Sequence, residues 1–229
     1  MHHEQHLKSS DTIKDIVIGM SDGLTVPFAL AAGLSGANAH STIVVTAGIA
    51  EIVAGSIAMG LGGFLAGKTE ADHYASELQR EYDEVERVPE QEKMEVKEVF
   101  AGFGLSVKLQ DEVADEMAKD KDKWVDFMMR YELGLEKPEE NRARQSAITI
   151  GLSYIVGGII PLSPYFFIDD SQRALYYSCA ITLVCLFIFG YFKSKVTGQP
   201  VISGAFKVLI IGALAAAAAF GMAKLINGG

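Results

Sequence analysis

Three side chains with metal-binding or proton-binding chemistry stand inside long apolar stretches of this 229-residue chain. Asp22 lies in the stretch 13–36, and Glu51 and Met59 lie in the stretch 43–67. An ionisable group within a membrane span costs about 3 kcal/mol or more and by default marks a transport path or proton relay. Two carboxylates suit Ca²⁺, Mg²⁺ or protons, whereas a thioether adds a preference for a softer transition metal. Two alternatives stay open: Glu51 as a protonated packing residue, and Met59 as an apolar gap filler.

Five apolar stretches position these side chains, and each is long enough to cross a bilayer, which takes about 20 residues. They cover residues 13–36, 43–67, 145–168, 174–192 and 203–226. The first stretch follows twelve polar residues and is too long for the apolar core of a signal peptide. The fifth stretch is rich in alanine, and we expect it to be the weakest span. The sequence therefore predicts an all-α integral membrane protein with five transmembrane helices.

Basic residues are divided unequally between the two sides of these spans. The short connections 37–42 and 169–173 hold one basic residue, Arg173. The opposite side carries Lys8, Lys14, Lys68, Arg142, Arg144, Lys193, Lys195 and Lys207. The positive-inside rule therefore places the N-terminus and residues 68–141 in the cytosol, and five spans place the C-terminus on the far side.

The depth of the two carboxylates follows from this orientation. At 1.5 Å per residue, Asp22 lies about 14 Å from the cytosolic end of its span, and Glu51 lies about 12 Å from the far end of its span. Because the first two spans run antiparallel, both carboxylates are expected near mid-membrane at a similar height. Met59 is expected nearer the cytosol.

Charge is concentrated in one third of the chain. Residues 68–141 carry a net charge of −11, whereas the remaining residues carry a net charge of +2. This division excludes a uniformly soluble globule, a disordered chain and a nucleic-acid-binding protein, which would need a basic surface. The two cysteines are too few for a disulfide scaffold or a thiolate zinc site.

The acidic segment 68–141 is predicted to be a cytosolic domain of three helices between residues 1–67, which hold spans 1 and 2, and residues 142–229, which hold spans 3 to 5. Its first helix continues from the second span as far as Pro89, because proline cannot continue a helix but can start the next one. The second helix runs to about Phe100, before Gly102 and Gly104. The third helix runs from Ser106 to Leu133, and apolar residues recur along it at the spacing of one helix face.

Glutamates recur on single faces of these helices. Glu81 and Glu84 are three residues apart, as are Glu92 and Glu95, and Glu132 lies within one turn of Met128 and Met129. Taken singly, each glutamate fits a solvated surface charge, and Met128 fits core packing. The excess negative charge of the segment favours a metal-binding interpretation, because like charges held close together repel unless a cation or proton neutralises them.

Catalytic motifs are incomplete, and we expect neither an enzyme nor a prosthetic cofactor. A ferritin-like diiron oxidase needs two Glu-x-x-His motifs, and only Glu70 with His73 supplies one. The sequence holds no Walker motif, no phosphate-binding loop and no pairing of a nucleophile with a base.

Two runs of sequence and the acidic segment carry a resemblance to a known family. The runs are DGLTVPFALAAGLSG at 22–36 and AEIVAGSIAMGLGGFLAGKTEADHY at 50–74. The chain resembles the vacuolar iron transporters over essentially its whole length, and it is similar to the plant members in particular.

The resemblance implies a homodimer in the vacuolar membrane, with five spans per subunit. It implies proton-coupled movement of Fe²⁺ from cytosol to vacuole, with Mn²⁺, Co²⁺ and Zn²⁺ as further substrates. The implied transport pathway uses Asp22, Glu51 and Met59. The implied cytosolic metal site uses Glu81, Glu84, Glu92, Glu95, Met128, Met129 and Glu132.

Two other functions stay open from the sequence. A membrane-anchored metal buffer or sensor would bind metal through the acidic segment, and the spans would serve only to hold it. A proton-coupled carrier of an organic cation would need Asp22 and Glu51 but neither Met59 nor the glutamates of the acidic segment.

Overall fold

A computed structural model describes residues 10–227 of the chain, and these residues are almost entirely helical, with no strand among them. Eight α-helices follow one another along the chain, with a 3₁₀ turn at Ser163–Phe166. They are α1 Ser10–Gly36, α2 Ser41–Arg87, α3 Pro89–Gly102, α4 Val107–Met117, α5 Lys121–Tyr131, α6 Arg142–Leu162, α7 Ser171–Val196 and α8 Val201–Ile226. Lys8, which contributes to the predicted orientation, lies outside the described residues.

Five of these helices are long and apolar enough to cross a membrane, which confirms the predicted number of spans. They are α1, α2, α6 with its 3₁₀ extension, α7 and α8. The alanine-rich fifth span is an unbroken helix of 26 residues, so its expected weakness is not seen. Alanine has the highest helix propensity and adds no polar atom, and both properties suit a span.

Helix α2 is 47 residues long, about twice the length that a bilayer requires. Its first half is the apolar stretch 43–67, and its second half is charged. The helix ends at Arg87, and α3 starts with Pro89 as its first residue, as the sequence predicts. Proline lacks the backbone N–H that the interior of a helix needs, but the first turn of a helix leaves that N–H unused.

The expected single helix from Ser106 to Leu133 is wrong, because α4 ends at Met117 and α5 begins at Lys121. Asp120 caps α5 by accepting a hydrogen bond from the backbone N–H of Lys123 at 3.2 Å. Such a cap satisfies a donor that the first turn of a helix leaves free, and it therefore favours a new helix start at this point. The predicted three-helix domain is corrected accordingly to four helical segments.

The chain divides into two compact units, which we call the span unit and the acidic unit. The acidic unit comprises Leu65–Arg142, and the span unit comprises the described residues before and after it. The core of the acidic unit is formed by buried residues of α2 to α5: Val85, Val96, Ala114, Trp124, Val125, Met128 and Met129.

Polar contacts join the helices of the acidic unit at its surface. Tyr82 on α2 donates a hydrogen bond to Asp122 on α5 at 2.8 Å. Lys93 on α3 contacts Asp115 on α4 at 2.8 Å, and a second α3–α4 ion pair lies nearby. Because each such exposed pair contributes little, the buried apolar residues carry most of the stability of this unit.

The span unit is held together by apolar contacts and by hydroxyl groups that bond inside the helix bundle. Its core includes Phe28 on α1, Val44 on α2 and Leu162 on α6. The Ser35 and Tyr165 hydroxyls are 2.9 Å apart, and both are buried. These bonds satisfy polar atoms that would otherwise be stranded in an apolar interior.

Candidate functional site

Helix α6 approaches α1 at backbone distance because α1 presents glycines to it. A Cβ atom at Gly19 would lie 2.8 Å from Cβ of Ser153, and one at Gly23 would lie 2.9 Å from Cα of Tyr154. Real Cβ atoms do not approach this closely, so only glycine permits the packing. Such a close contact at a pair of small residues four positions apart, here flanking Asp22, is typical of packed membrane helices.

Helix α2 meets the other side of α6 in the same way. A Cβ at Gly55 would lie 2.7 Å from Cε1 of Tyr154, and one at Gly63 would lie 2.8 Å from Oγ of Ser146. Gly62, by contrast, has no heavy atom of another residue within 4 Å of a built Cβ. Of the glycines at seven-residue spacing along α2, Gly48 and Gly55 therefore lie against α6, whereas Gly62 does not.

The two predicted membrane carboxylates converge on one side chain of α6. Tyr154, which is 2% exposed, donates a hydrogen bond to Oε1 of Glu51. The Asp22 carboxylate lies within electrostatic range of the same tyrosine, and Gly23, the next residue on α1, contacts its backbone. Asp22 and Glu51 are both half-buried, and the charge of each acts on Tyr154.

Oε2 of Glu51 is buried and has no hydrogen-bond partner among the described residues. A carboxylate oxygen in this state is an available ligand for a cation or a position for a proton. Met59 lies two turns further along α2 and is half-buried. Glu51, Gly55 and Met59 follow one another at four-residue spacing, so they form one row on the helix surface.

The sequence alone did not identify two polar residues of this region, Tyr154 and Asp15. Tyr154 was missed because its partner is 103 residues away along the chain. Asp15 was missed because it stands near the N-terminal end of the first apolar stretch, where charged residues are common. It is 3% exposed and accepts a hydrogen bond from Oγ of Ser146 at 3.1 Å. Its seven-residue spacing from Asp22, which puts both on one face of α1, was the available signal.

The acidic unit buries two of its predicted ligands almost completely. Glu81 on α2 and Glu92 on α3 are each 2% exposed, and the Oε2 atom of each has no hydrogen-bond partner in the described part of the chain. Burial, reinforced by neighbouring carboxylates, raises the pKa of both side chains to about 7. Two buried acids in this state favour a proton or a cation as their partner.

The other predicted glutamates surround this pair. The charges of Glu84, Glu95 and Glu132 act on both Glu81 and Glu92, so the five side chains form one group, which we call the glutamate cluster. Burial and then the charge of Glu95 raise the pKa of Glu132 as well.

One cation contacts an edge of the cluster. Arg80 lies 3.4 Å from Glu84 and 2.9 Å from Glu77. Its guanidinium offsets part of the negative charge of the metal-free unit, and it competes with a metal ion for the Glu84 carboxylate.

Met128 and Met129 are fully buried in the core of the acidic unit, which supports the packing interpretation of Met128. Between residues 10 and 227, no three or more His, Cys, Asp or Glu side chains have the spacing of a preformed metal site. The five carboxylates are therefore near one another but not closed around a common point.

Comparison with known sequences places both units in one family. A sequence model of the VIT family matches residues 13–224. The chain belongs to the VIT family. The bounds of the match enclose the whole acidic unit and nearly all of the five spans.

Named relatives of this VIT-family chain come from plants and fungi. It is 54% identical to "Vacuolar iron transporter 1" of Arabidopsis thaliana over 226 residues, which cover 99% of this chain and 90% of the relative. It is 52% identical to the protein of the same name from Tulipa gesneriana, with 99% and 92% covered. It is 40% identical to "Protein CCC1" of Saccharomyces cerevisiae, with 94% and 69% covered.

Proposed function

We propose that this chain moves Fe²⁺ from the cytosol into the vacuole in exchange for protons. It acts as a homodimer in the vacuolar membrane, with the N-terminus and the acidic unit in the cytosol and the C-terminus in the lumen. The printed names of the plant relatives, matched over nearly the whole chain, support iron as the substrate and the vacuole as the compartment. The five long apolar helices support a multi-pass membrane protein.

The observation that carries the proposal is the convergence of Asp22 and Glu51 on Tyr154 within the span unit. Two carboxylates in an apolar bundle need positive charge nearby, and either protons or one divalent cation can supply it. Fe²⁺ and H⁺ therefore compete for the same oxygens. An acidic lumen protonates the carboxylates, releases the metal and returns protons to the cytosol, so the exchange needs no nucleotide.

Met59 gives this pathway its preference for transition metals. Carboxylates alone suit the hard cations Ca²⁺ and Mg²⁺, whereas a thioether sulfur favours softer ions. Met59 lies on the same row of α2 as Glu51. The pathway is proposed to accept Mn²⁺, Co²⁺ and Zn²⁺ besides Fe²⁺, since Co²⁺ and Zn²⁺ share the borderline character of Fe²⁺ and Mn²⁺ suits the carboxylates.

The glutamate cluster is proposed to capture metal from the cytosol, with Met128 and Met129 supplying sulfur ligands after a local rearrangement of the core. The burial of Glu81 and Glu92 without hydrogen-bond partners supports this role, because a cation would relieve the cost of ionising them. Captured ions raise the local supply of Fe²⁺ to the transport pathway.

Proteoliposomes with an acidic lumen test the transport proposal. We expect Fe²⁺ uptake by the wild-type chain, and we expect loss of uptake when Asp22→Ala or Glu51→Ala removes one pathway carboxylate. Glu112→Ala serves as the matched control, because it removes an exposed carboxylate of the acidic unit that is 59% exposed. Full flux in the Asp22 and Glu51 variants would reject the exchange mechanism.

A membrane-anchored metal buffer or sensor is the second candidate, and the buried glutamates of the acidic unit favour it. It differs from a transporter because it predicts metal binding without flux, and no effect of Asp22 or Glu51. Replacing Glu81, Glu84 and Glu95 together by Gln should lower the number of Fe²⁺ ions bound in calorimetry but leave some transport. If this variant loses Fe²⁺ binding and the wild-type chain shows no Fe²⁺ flux, the result would favour the metal buffer or sensor over the transporter.

A further inference from the structure

The hydrogen bond between Tyr154 and Glu51 leaves the two oxygens of this carboxylate in different states. The Tyr154 hydroxyl donates to Oε1, because an ionised carboxylate can only accept. Oε2 has no hydrogen-bond partner within the described residues. Because the hydroxyl occupies a lone-pair position of Oε1, binding of one ion through both oxygens of Glu51 is disfavoured relative to binding through Oε2 alone.

Packing fixes the position of the tyrosine ring that makes this bond. A Cβ at Gly55 would lie 2.7 Å from Cε1 of the Tyr154 ring, so the ring occupies a recess that only glycine leaves open. On the opposite side, a Cβ at Gly23 would lie 2.9 Å from Cα of Tyr154. The hydroxyl is therefore directed at Glu51 by contacts with both neighbouring helices.

The number of oxygens that a carboxylate offers bears on which cation it prefers. Ca²⁺ takes six to eight oxygen ligands and is commonly bound by both oxygens of a carboxylate. Smaller transition-metal ions take fewer ligands and accept nitrogen or sulfur among them. A carboxylate restricted to one oxygen, on the same helix row as the Met59 thioether, therefore disfavours Ca²⁺.

We propose that Tyr154 is a specificity-determining residue that holds Glu51 in a one-oxygen binding mode and thereby discriminates against Ca²⁺. This inference rests on the proposed transport of Fe²⁺. Tyr154 acts through Glu51 and does not itself ligate the ion. Its hydroxyl, rather than its ring, carries the effect.

Competition by Ca²⁺ during Fe²⁺ uptake into proteoliposomes tests the proposal. Tyr154→Phe keeps the ring in its recess and removes only the hydroxyl. We expect the KM for Fe²⁺ to change little, because Oε2 remains available to this ion and the hydroxyl does not ligate it. We also expect the Ca²⁺ concentration that halves Fe²⁺ uptake to fall by a factor of about ten, because Oε1 becomes available to Ca²⁺.

Tyr165→Phe is the matched control, because it removes another buried tyrosine hydroxyl of the span unit, one that contacts Ser35 instead of a carboxylate. It should leave Ca²⁺ sensitivity unchanged. Gly55→Ala is a second route to the same effect, since a Cβ there displaces the Tyr154 ring, and Gly62→Ala is its control because that position is open.

The outcomes separate this inference from the proposed function. Wild-type Ca²⁺ sensitivity in Tyr154→Phe, with transport still abolished by Glu51→Ala, would overturn the role of Tyr154 and leave the transport function standing. Absence of Fe²⁺ uptake by the wild-type chain would overturn both. A loss of protein yield without a change in Ca²⁺ sensitivity of the remaining protein would assign Tyr154 a merely structural role.

Discussion

The burial of Glu92 predicts that the metal-free acidic unit becomes less stable as pH rises toward neutrality. Burial and the charges of four neighbouring glutamates raise the pKa of Glu92 to about 7, from about 4.5 in the unfolded chain. A raised pKa means that the folded state binds its proton more tightly. The resulting stability is fully present below about pH 4.5 and is lost as pH rises through about 7.

The magnitude follows from the size of this shift. One pKa unit corresponds to 1.36 kcal/mol, so the shift of Glu92 corresponds to about 3 kcal/mol, and solvent screening of the contributing charges reduces this to about 2 kcal/mol. Glu92→Gln replaces the ionisable carboxyl by a neutral amide of the same shape. Between pH 5 and pH 8, the free energy of unfolding of the wild type should therefore fall by about 2 kcal/mol more than that of Glu92→Gln.

The single tryptophan makes this change measurable in the intact protein. Trp124 is the only tryptophan of the chain, and it is 4% exposed in the core of the acidic unit. Urea unfolding of the metal-free full chain in detergent micelles, followed by Trp124 fluorescence, therefore reports on this unit. The pH dependence is compared with that of Glu112→Gln, which removes one charge from an exposed position.

The new amide group can itself change stability, for example through an unsatisfied buried N–H group, but this effect is the same at pH 5 and pH 8. The difference between the two pH values therefore isolates the ionisation of Glu92. Equal pH dependence in Glu92→Gln and Glu112→Gln would refute the reasoning, because it would mean that Glu92 is not ionised at a cost in the folded state. Addition of Fe²⁺ at pH 8 should restore stability to the wild type, since a bound cation stabilises only the folded unit.

Two further predictions concern the acidic unit. Arg80→Gln should lower the Fe²⁺ Kd of the glutamate cluster about threefold in calorimetry, because it removes an ion pair that competes for Glu84. Lys108→Gln, which breaks an exposed pair with Glu112 that involves no member of the cluster, should leave the Kd unchanged. Gly134→Ala should lower the free energy of unfolding in urea by about 1 kcal/mol, because φ of Gly134 is +64°. Gly102→Ala should lower it by less, because that position has open space and no positive φ. Equal losses in the two variants would contradict the backbone argument.

The spans were predictable because apolar length is a local property of the sequence. Each of the five stretches is a helix with bounds within a few residues of the predicted ones, except where the ends continue past the apolar region. The start of α3 at Pro89 was predictable for a similar reason, since the missing N–H of proline acts within one turn. The break before Lys121 was not predicted, because it depends on a cap by Asp120 inside an otherwise continuous helical pattern.

The candidate site was predictable only in its ionisable members. Asp22 and Glu51 stand out because carboxylates are rare in apolar stretches. Tyr154 does not stand out, because tyrosine is a frequent residue of spans and only the packing of α6 against two glycine-bearing helices brings its hydroxyl to Glu51. The burial of Glu81 was equally unpredictable, since the sequence pattern of a charged helix predicts that its glutamates are exposed.

The two units differ in how they hold buried carboxylates, and the difference suits two tasks. In the span unit, hydroxyl groups donate to Asp15 and to one oxygen of Glu51, and only the other Glu51 oxygen has no hydrogen-bond partner among described residues. The proposed carrier needs carboxylates that are held in place in its ion-free states. In the acidic unit, Glu81 and Glu92 bury oxygens that have no hydrogen-bond partner among described residues, and both face like charges. The proposed metal binding there would remove a repulsion, so it would stabilise the fold and favour capture over passage.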